Sequence, residues 1–186
     1  EIDAATRRNL ELTETLAGGR DGALLSVIDR SVTGAGGRLM AARFATPLTE
    51  PSEITERLDM VSFFHDDRVW RDGARETLRG CPDMERALSR VTLGRGGPRD
   101  LAAIRDALGG AHRLRDELGA DEAPPAGIAD AVRNLGFHGE IIDRYSRALR
   151  NDLPILARDG GFIAEGYLAE LDEHRRLRDK SRQLIA

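Results

Sequence analysis

The chain has 186 residues, 32% of them charged and 4% aromatic, with a formal net charge of -4. That suits one domain with a real core, burying about 70% of the extended chain's surface, and excludes a nucleic-acid module in which basic charge dominates. The single cysteine, Cys81, excludes an internal disulfide and a multi-cysteine metal site, and is expected to be reduced and partly buried.

In residues 1–19, Leu10 and Leu12 alternate around Glu11, a weak strand signal. Arg7-Arg8 reads as a solvated or backbone-bonding turn. Leu24, Leu25 and Ile28 mark a short helix. Thr33 is a good N-cap for the next one, because its hydroxyl can accept a free first-turn N–H. Leu39, Met40 and Phe44 give that helix an apolar side. Gly36 near its start reads as a point of close helix packing, not as a phosphate loop. Pro47-Leu48 closes the helix, and Pro51 opens another whose face carries Ile54, Leu58 and Val61, with Phe63 and Phe64 at its end. After a turn at His65-Asp66-Asp67, Val69, Trp70, Ala74 and Leu78 mark a further helix, ended by Gly80.

Residues 82–118 then read as two helices joined by a glycine hinge. Met84, Leu88 and Val91 share one face of the first. Gly94, Gly96 and Gly97 break the pattern, and Pro98 restarts it at a first helical position, where its missing N–H costs nothing. Leu101, Ile104, Leu108, Ala111 and Leu118 continue at helical steps, enough for a central packing element. Residues 119–127 are the best linker candidate, since Pro124-Pro125 can begin a helix but not lie inside one. Ile128, Val132 and Leu135 form a short helix; Ile141, Ile142, Tyr145 and Leu149 form another, stopped by Pro154. Asp159-Gly160-Gly161, between apolar flanks, is a turn that admits one small β-hairpin within residues 155–166.

In the last segment, Tyr167, Leu168 and Leu171 are expected to anchor a helix in the core. Between Asp172 and Gln183 only Leu177 is strongly apolar. A helix polar nearly all round bridges solvent, so this one is expected to project. It carries the only basic cluster: Arg175, Arg176, Arg178, Lys180 and Arg182, with His174 beside it. All but one of the 28 basic residues are arginine, a compositional bias.

Chemistry-bearing motifs are few. No G-x-x-x-x-G-K-[ST] or G-x-G-x-x-G occurs, so Walker-type nucleotide binding within this chain is excluded. His65-Asp66 resembles the pair of metal phosphohydrolases, but such sites need further ligands converging from other helices, and His65 lies at a helix–helix turn. The di-iron Glu-x-x-His motif and the G-x-S-x-G elbow are absent, and Cys81 has no histidine near it in sequence. No stretch approaches about 18 apolar residues and no signal peptide opens the chain, so a cytoplasmic protein is the expectation. The chain begins at Glu1 and not at methionine, as an excised piece would.

Several spaced blocks resemble the core domain of the MutS family of DNA mismatch recognition ATPases. Asp3, Thr6, Arg8, Asn9, Leu10, Glu11 and Leu12 match its opening; Asp29, Thr33, Gly36, Arg38 and Leu39 match a second block, with Ile28 and Ser31 as substitutions. Pro47-Leu48, Pro51, Ile54, Arg57, Leu58, Asp59 and Val61 keep the family's spacing. Pro82-Asp83-Met84-Glu85-Arg86, Leu88-Ser89-Arg90 and Pro98-Arg99-Asp100-Leu101 match the central signature, with Met84 in place of the commoner leucine. Arg158 through Arg175 reproduces a further run.

The resemblance implies an all-α fold: an irregular multi-helix core domain with a long projecting lever helix at its C-terminus. Residues 1–186 would be that core, truncated before the clamp insertion, and residues 167–186 the start of the outgoing lever. The implied function is mechanical and allosteric coupling of a DNA clamp to an ATPase in a full-length protein that binds mismatched DNA and ATP. The chain itself would not be an enzyme, and ATP and Mg would belong to the missing ATPase domain. The implied partners are the clamp, connector and ATPase domains, DNA through the full-length protein, and a second copy in a homodimer, with no membrane. Arg175, Arg176, Arg178, Lys180 and Arg182 are the candidate contacts to DNA backbone or lever; their other reading is complementation of the helix dipole. Two rival readings are a free-standing helical protein–protein interaction module and a degenerate His-Asp hydrolase.

Overall fold

The computed structural model describes residues 2–120 and 123–185, with side chains through Ser181. Among the described residues ten α-helices follow in order: α1 (Ala4–Asn9), α2 (Leu24–Ile28), α3 (Gly34–Ala45), α4 (Pro51–Asp66), α5 (Arg68–Arg79), α6 (Met84–Thr92), α7 (Pro98–Leu118), α8 (Ala126–Asn134), α9 (Gly139–Ala148) and α10 (Ala169–Ile185). The fold is all-α. None of these helices is long and apolar enough to cross a membrane.

Most helix starts are set by local capping chemistry. The Thr6 N–H donates to Asp3 Oδ1 (2.9 Å), and the Gly36 N–H donates to the Thr33 hydroxyl oxygen (3.0 Å). Asp67 accepts from the Val69 N–H (2.8 Å) at the head of α5, and Asp83 from the Arg86 N–H (3.3 Å) at the head of α6. Each satisfies an orphan first-turn donor, a contribution of about 1 kcal/mol per cap. Pro51 and Pro98 occupy first-turn positions of α4 and α7. Helix α2 has no side-chain cap; its Leu24 and Leu25 N–H groups donate to the Glu11 (3.0 Å) and Leu12 (2.9 Å) carbonyls.

Helix α7 is the organising element. Its 21 residues run about 31 Å, and α5, α6, α8 and α9 all pack on it. Ala87, Ile104 and Leu108 form the buried centre, with Val91, Ala103, Ile142 and Tyr145 closed around them. Burying side chains the size of Ile104 and Leu108 contributes roughly 1.5–3 kcal/mol each. The hinge lets α6 fold back onto α7. A Cβ at Gly96 would come within 2.5 Å of Val91 Cγ2, so no larger residue fits that turn.

Several expectations are corrected. The face of α6 that meets α7 centres on fully buried Ala87 and half-buried Val91, while Leu88 is 53% exposed. Consecutive residues of a helix project about 100° apart, so burying Ala87 turns Leu88 away from the contact. Val69 likewise points to solvent, and Ala74 is the buried residue of α5. The strand signal at Leu10–Leu12 is a turn. Leu10 ends α1, Glu11 has φ +48°, and the chain reverses so that Leu12 alone turns inward. Gly36 meets Thr33 and Ser31 of its own capping turn and not another helix.

The hairpin expected within residues 155–166 does not form. Ala157–Asp159 winds into a 3-10 turn, and a single antiparallel bridge joins Leu149 to Ile163. Arg150 N–H donates to the Phe162 carbonyl (2.9 Å) and Ala164 N–H to the Ala148 carbonyl (2.8 Å). The partner for residue 163 therefore comes from the end of α9. The linker expected at 119–127 includes Asp121 and Glu122, which lie outside the described residues.

Candidate functional site

The basic cluster lies on α10, whose 17 residues extend about 26 Å. Among the described residues, α10 packs on no other helix as α5, α6 and α9 pack on α7. Its base is held by polar groups. Asp172 Oδ2 accepts the Gly166 N–H (2.7 Å), and Asp172 Oδ1 pairs with Arg175 Nη1 (2.9 Å). Arg175 Nη2 then donates to the Ile163 carbonyl (2.8 Å), in the segment bridged to Leu149. Both side chains are largely shielded from water. The expected apolar anchor is only partly realised: Tyr167 and Leu171 are half-buried, but Leu168 is 52% exposed.

This geometry divides the five cationic candidates. Arg175 is committed to Asp172 and the Ile163 carbonyl, so it positions the helix. Arg178 Nε donates to its neighbour Asp179 (2.9 Å) in an exposed pair, which contributes little and yields readily to another anion. Arg176 and Lys180 are exposed and four residues apart, on one side of the helix. The Arg182 side chain lies outside the described residues. The surface so formed offers a few solvated cations on a rod, suited to weak, salt-screened contact with phosphate.

The other candidates do not converge. His65 Nδ1 and Asp66 Oδ1 are 2.9 Å apart in an exposed pair at the end of α4. Among the described residues no group of three or more metal-ligating side chains comes together. His112 lies against Arg115 and 3.5 Å from Asp116 on its own helix. Cys81 is a free, half-buried thiol whose Sγ donates to the Thr77 carbonyl (3.2 Å). Burial pushes the Cys81 thiol above its ordinary value, which opposes a nucleophilic role.

Three ion pairs, two of them made by one arginine, escaped the sequence reading. Arg38 on α3 grips Asp83 in two bonds (2.8 and 3.0 Å) and reaches Glu85 with a third (2.7 Å). This fork ties α3 to the head of α6, so Asp83 caps one helix and anchors another. The hydrogen bonds that Arg38 donates hold the Asp83 carboxyl below the usual carboxylate value, and the acceptance of those bonds by Asp83 and Glu85 raises the guanidinium further. Arg90 Nε donates to Asp100 Oδ1 (2.9 Å) across the glycine hinge, and Asp100 Oδ2 accepts the Gly97 N–H (2.9 Å). Arg38, Asp83, Glu85, Arg90 and Asp100 all lie in the motif blocks, the only signal that could have flagged them. Nothing local says which pairs with which.

The motif blocks that hold the hinge and these ion pairs lie within a longer match: the family profile for MutS domain III matches residues 5–185. The chain belongs to the MutS family. It is 55% identical over its whole length to DNA mismatch repair protein MutS of Roseobacter denitrificans, covering 21% of that protein. It is 52% identical, again over all 186 residues, to the MutS proteins of Rhodopseudomonas palustris strain BisB18 and Nitrobacter winogradskyi, covering 21% of each. The chain thus spans about a fifth of the length of these MutS relatives.

Proposed function

We propose that this MutS domain III is the helical core of a DNA mismatch repair protein, and that it couples a DNA clamp mechanically to an ATPase domain elsewhere in the same polypeptide. Residues 167–186 are the start of the outgoing lever. The observation that carries this reading is α10: a solvated rod of about 26 Å whose base is fastened by Asp172, Arg175 and the Ile163 carbonyl. A helix fastened at its base that, among the described residues, does not pack on another helix as α5, α6 and α9 pack on α7 suits the transfer of a displacement, because the rod moves with its base. Arg176, Arg178 and Lys180, with Arg182, are the candidate contacts to a DNA backbone or a neighbouring lever. ATP and Mg belong to the ATPase domain of the full-length protein, which acts in the cytoplasm as a homodimer.

The test is Leu177→Pro in the full-length protein. Leu177 is 55% exposed, so the core loses no packing, while proline in a helix interior costs about 3 kcal/mol or more locally. The expected result is an ATPase whose rate no longer responds to mismatched DNA. Unchanged modulation of turnover by that DNA would overturn the coupling role.

A further inference from the structure

Residues 153–166 lead from the end of α9 to the start of α10, and two arginines grip them from opposite sides. Arg99, in the first turn of α7, donates from Nε to the Leu153 carbonyl (2.9 Å). Arg175 of α10 donates from Nη2 to the Ile163 carbonyl (2.8 Å). Both bonds are charge-assisted, and each guanidinium is carried by a helix. Each acceptor is a main-chain carbonyl, so the arginines fix the path of the backbone and not merely one side chain.

Between these two grips the segment rests on the core. The Ile155 carbonyl oxygen passes the N-cap residue of α7 so closely that a Cβ at Gly97 would lie 2.5 Å from it. Ala157 and Phe162 share the lining of a cavity of about 190 Å³ with Val91, Gly97 and Leu101 of the hinge region. Arg150 N–H donates to the Phe162 carbonyl and Ala164 N–H to the Ala148 carbonyl, which ties the segment to the buried end of α9. Two motif blocks that are separate in the sequence, the central signature and the run from Arg158 to Arg175, are therefore joined at one place.

That place is the head of α7. Asp100 caps the helix there and accepts from Arg90 of α6 across the hinge (2.9 Å). Among the described residues α10 does not pack on α7 as α5, α6 and α9 do. A displacement of α10 reaches α7 through the backbone that Arg175 holds at one end and Arg99 at the other. We propose that residues 153–166 are a strap that carries movement of the lever to the head of α7, with Arg99 and Arg175 as the positioning residues at its two ends. This rests on the reading that α10 is a lever.

The experiment uses the full-length protein and measures ATP turnover with and without saturating mismatched DNA. In Arg99→Gln and in Arg175→Gln the ratio of the two rates should fall to about one, the value for uncoupled sites, with turnover in the absence of DNA unchanged. Arg99→Lys keeps one donor for one carbonyl and should keep the wild-type ratio. Gly97→Ala leaves both arginines in place but pushes the Ile155 carbonyl away, so it should lower the ratio as well, and it carries the test if an arginine variant fails to fold. Arg144→Gln, at an exposed position of α9, should behave as wild type. A wild-type ratio in either glutamine variant or in Gly97→Ala would overturn the proposal. So would equal losses in Arg99→Gln and Arg99→Lys, or the same loss in Arg144→Gln. If Leu177→Pro uncouples turnover and these variants do not, α10 remains the lever and the strap alone fails; if Leu177→Pro has no effect, the lever reading itself fails.

Discussion

Replacing Gly110 by alanine puts a methyl group where α7 has no room for one. A Cβ built there falls far inside van der Waals contact with Cys81 Sγ, which is itself tied to the Thr77 carbonyl at 3.2 Å. The neighbouring Gly109 is a natural control. Its Cβ would meet nothing closer than Arg113 Nη1 at 3.8 Å, an ordinary contact with a flexible side chain. Both sites lie inside the same helix, so both gain the intrinsic preference of alanine over glycine, about 0.5–1 kcal/mol. Only Gly110→Ala incurs the overpacking cost, about 1–3 kcal/mol. Gly109→Ala is therefore expected to stabilise the chain. Gly110→Ala is expected to fall short of it by about 1–3 kcal/mol, or roughly 2–12 °C in Tm at about 2–4 °C per kcal/mol for a domain of this size. Cys81→Ala removes the obstructing sulfur and leaves a Cβ contact of 3.7 Å. The double-mutant cycle between Cys81→Ala and Gly110→Ala should then show a favourable coupling of about 1–3 kcal/mol. Urea denaturation followed by far-ultraviolet circular dichroism, with the m-value checked for constancy, gives each quantity. If Gly110→Ala raises the midpoint as much as Gly109→Ala does, the close approach of α7 to Cys81 is wrong.

Two further predictions concern packing and charge. Ile104→Ala should cost about 2–5 kcal/mol, because its side chain lies in the buried centre with Ala87 and Leu108, while Leu88→Ala should stay within about 0.5 kcal/mol; equal costs in denaturant titrations would mean that α6 buries its other face. The Asp83 carboxyl is held below its ordinary value of 3.8, chiefly by the hydrogen bonds from Arg38. Its contribution is therefore complete above that ordinary value and is lost as pH falls through the depressed one. Wild type should exceed Asp83→Asn in urea midpoint at pH 7, and the gap should close in strongly acidic solution. A gap that stays constant down to the lowest pH at which the chain folds would contradict the linkage.

The sequence by itself determined several helix starts, because those signals act over three or four residues. Thr33 lies within reach of the N–H group it caps, and Pro51 and Pro98 suit first turns whatever packs beside them, whereas the short helix capped by Asp3 was not read from the sequence. The motif blocks were equally legible, since a spaced pattern is a property of the chain alone. Tertiary structure decided which side of each helix is buried. Leu88 is the more apolar residue, yet Ala87 is fully buried where α6 packs on α7 and Leu88 is left half-exposed. It also decided which charges are free. Arg38 and Asp83 are 45 residues apart in sequence and meet only through the placement of α3 against α6. Arg175 reads as one more cation of a basic run until the bridge between Leu149 and Ile163 brings a carbonyl to it. Local hydrogen bonding is encoded in neighbouring residues, whereas burial and ion-pair choice depend on segments that only the folded chain brings together.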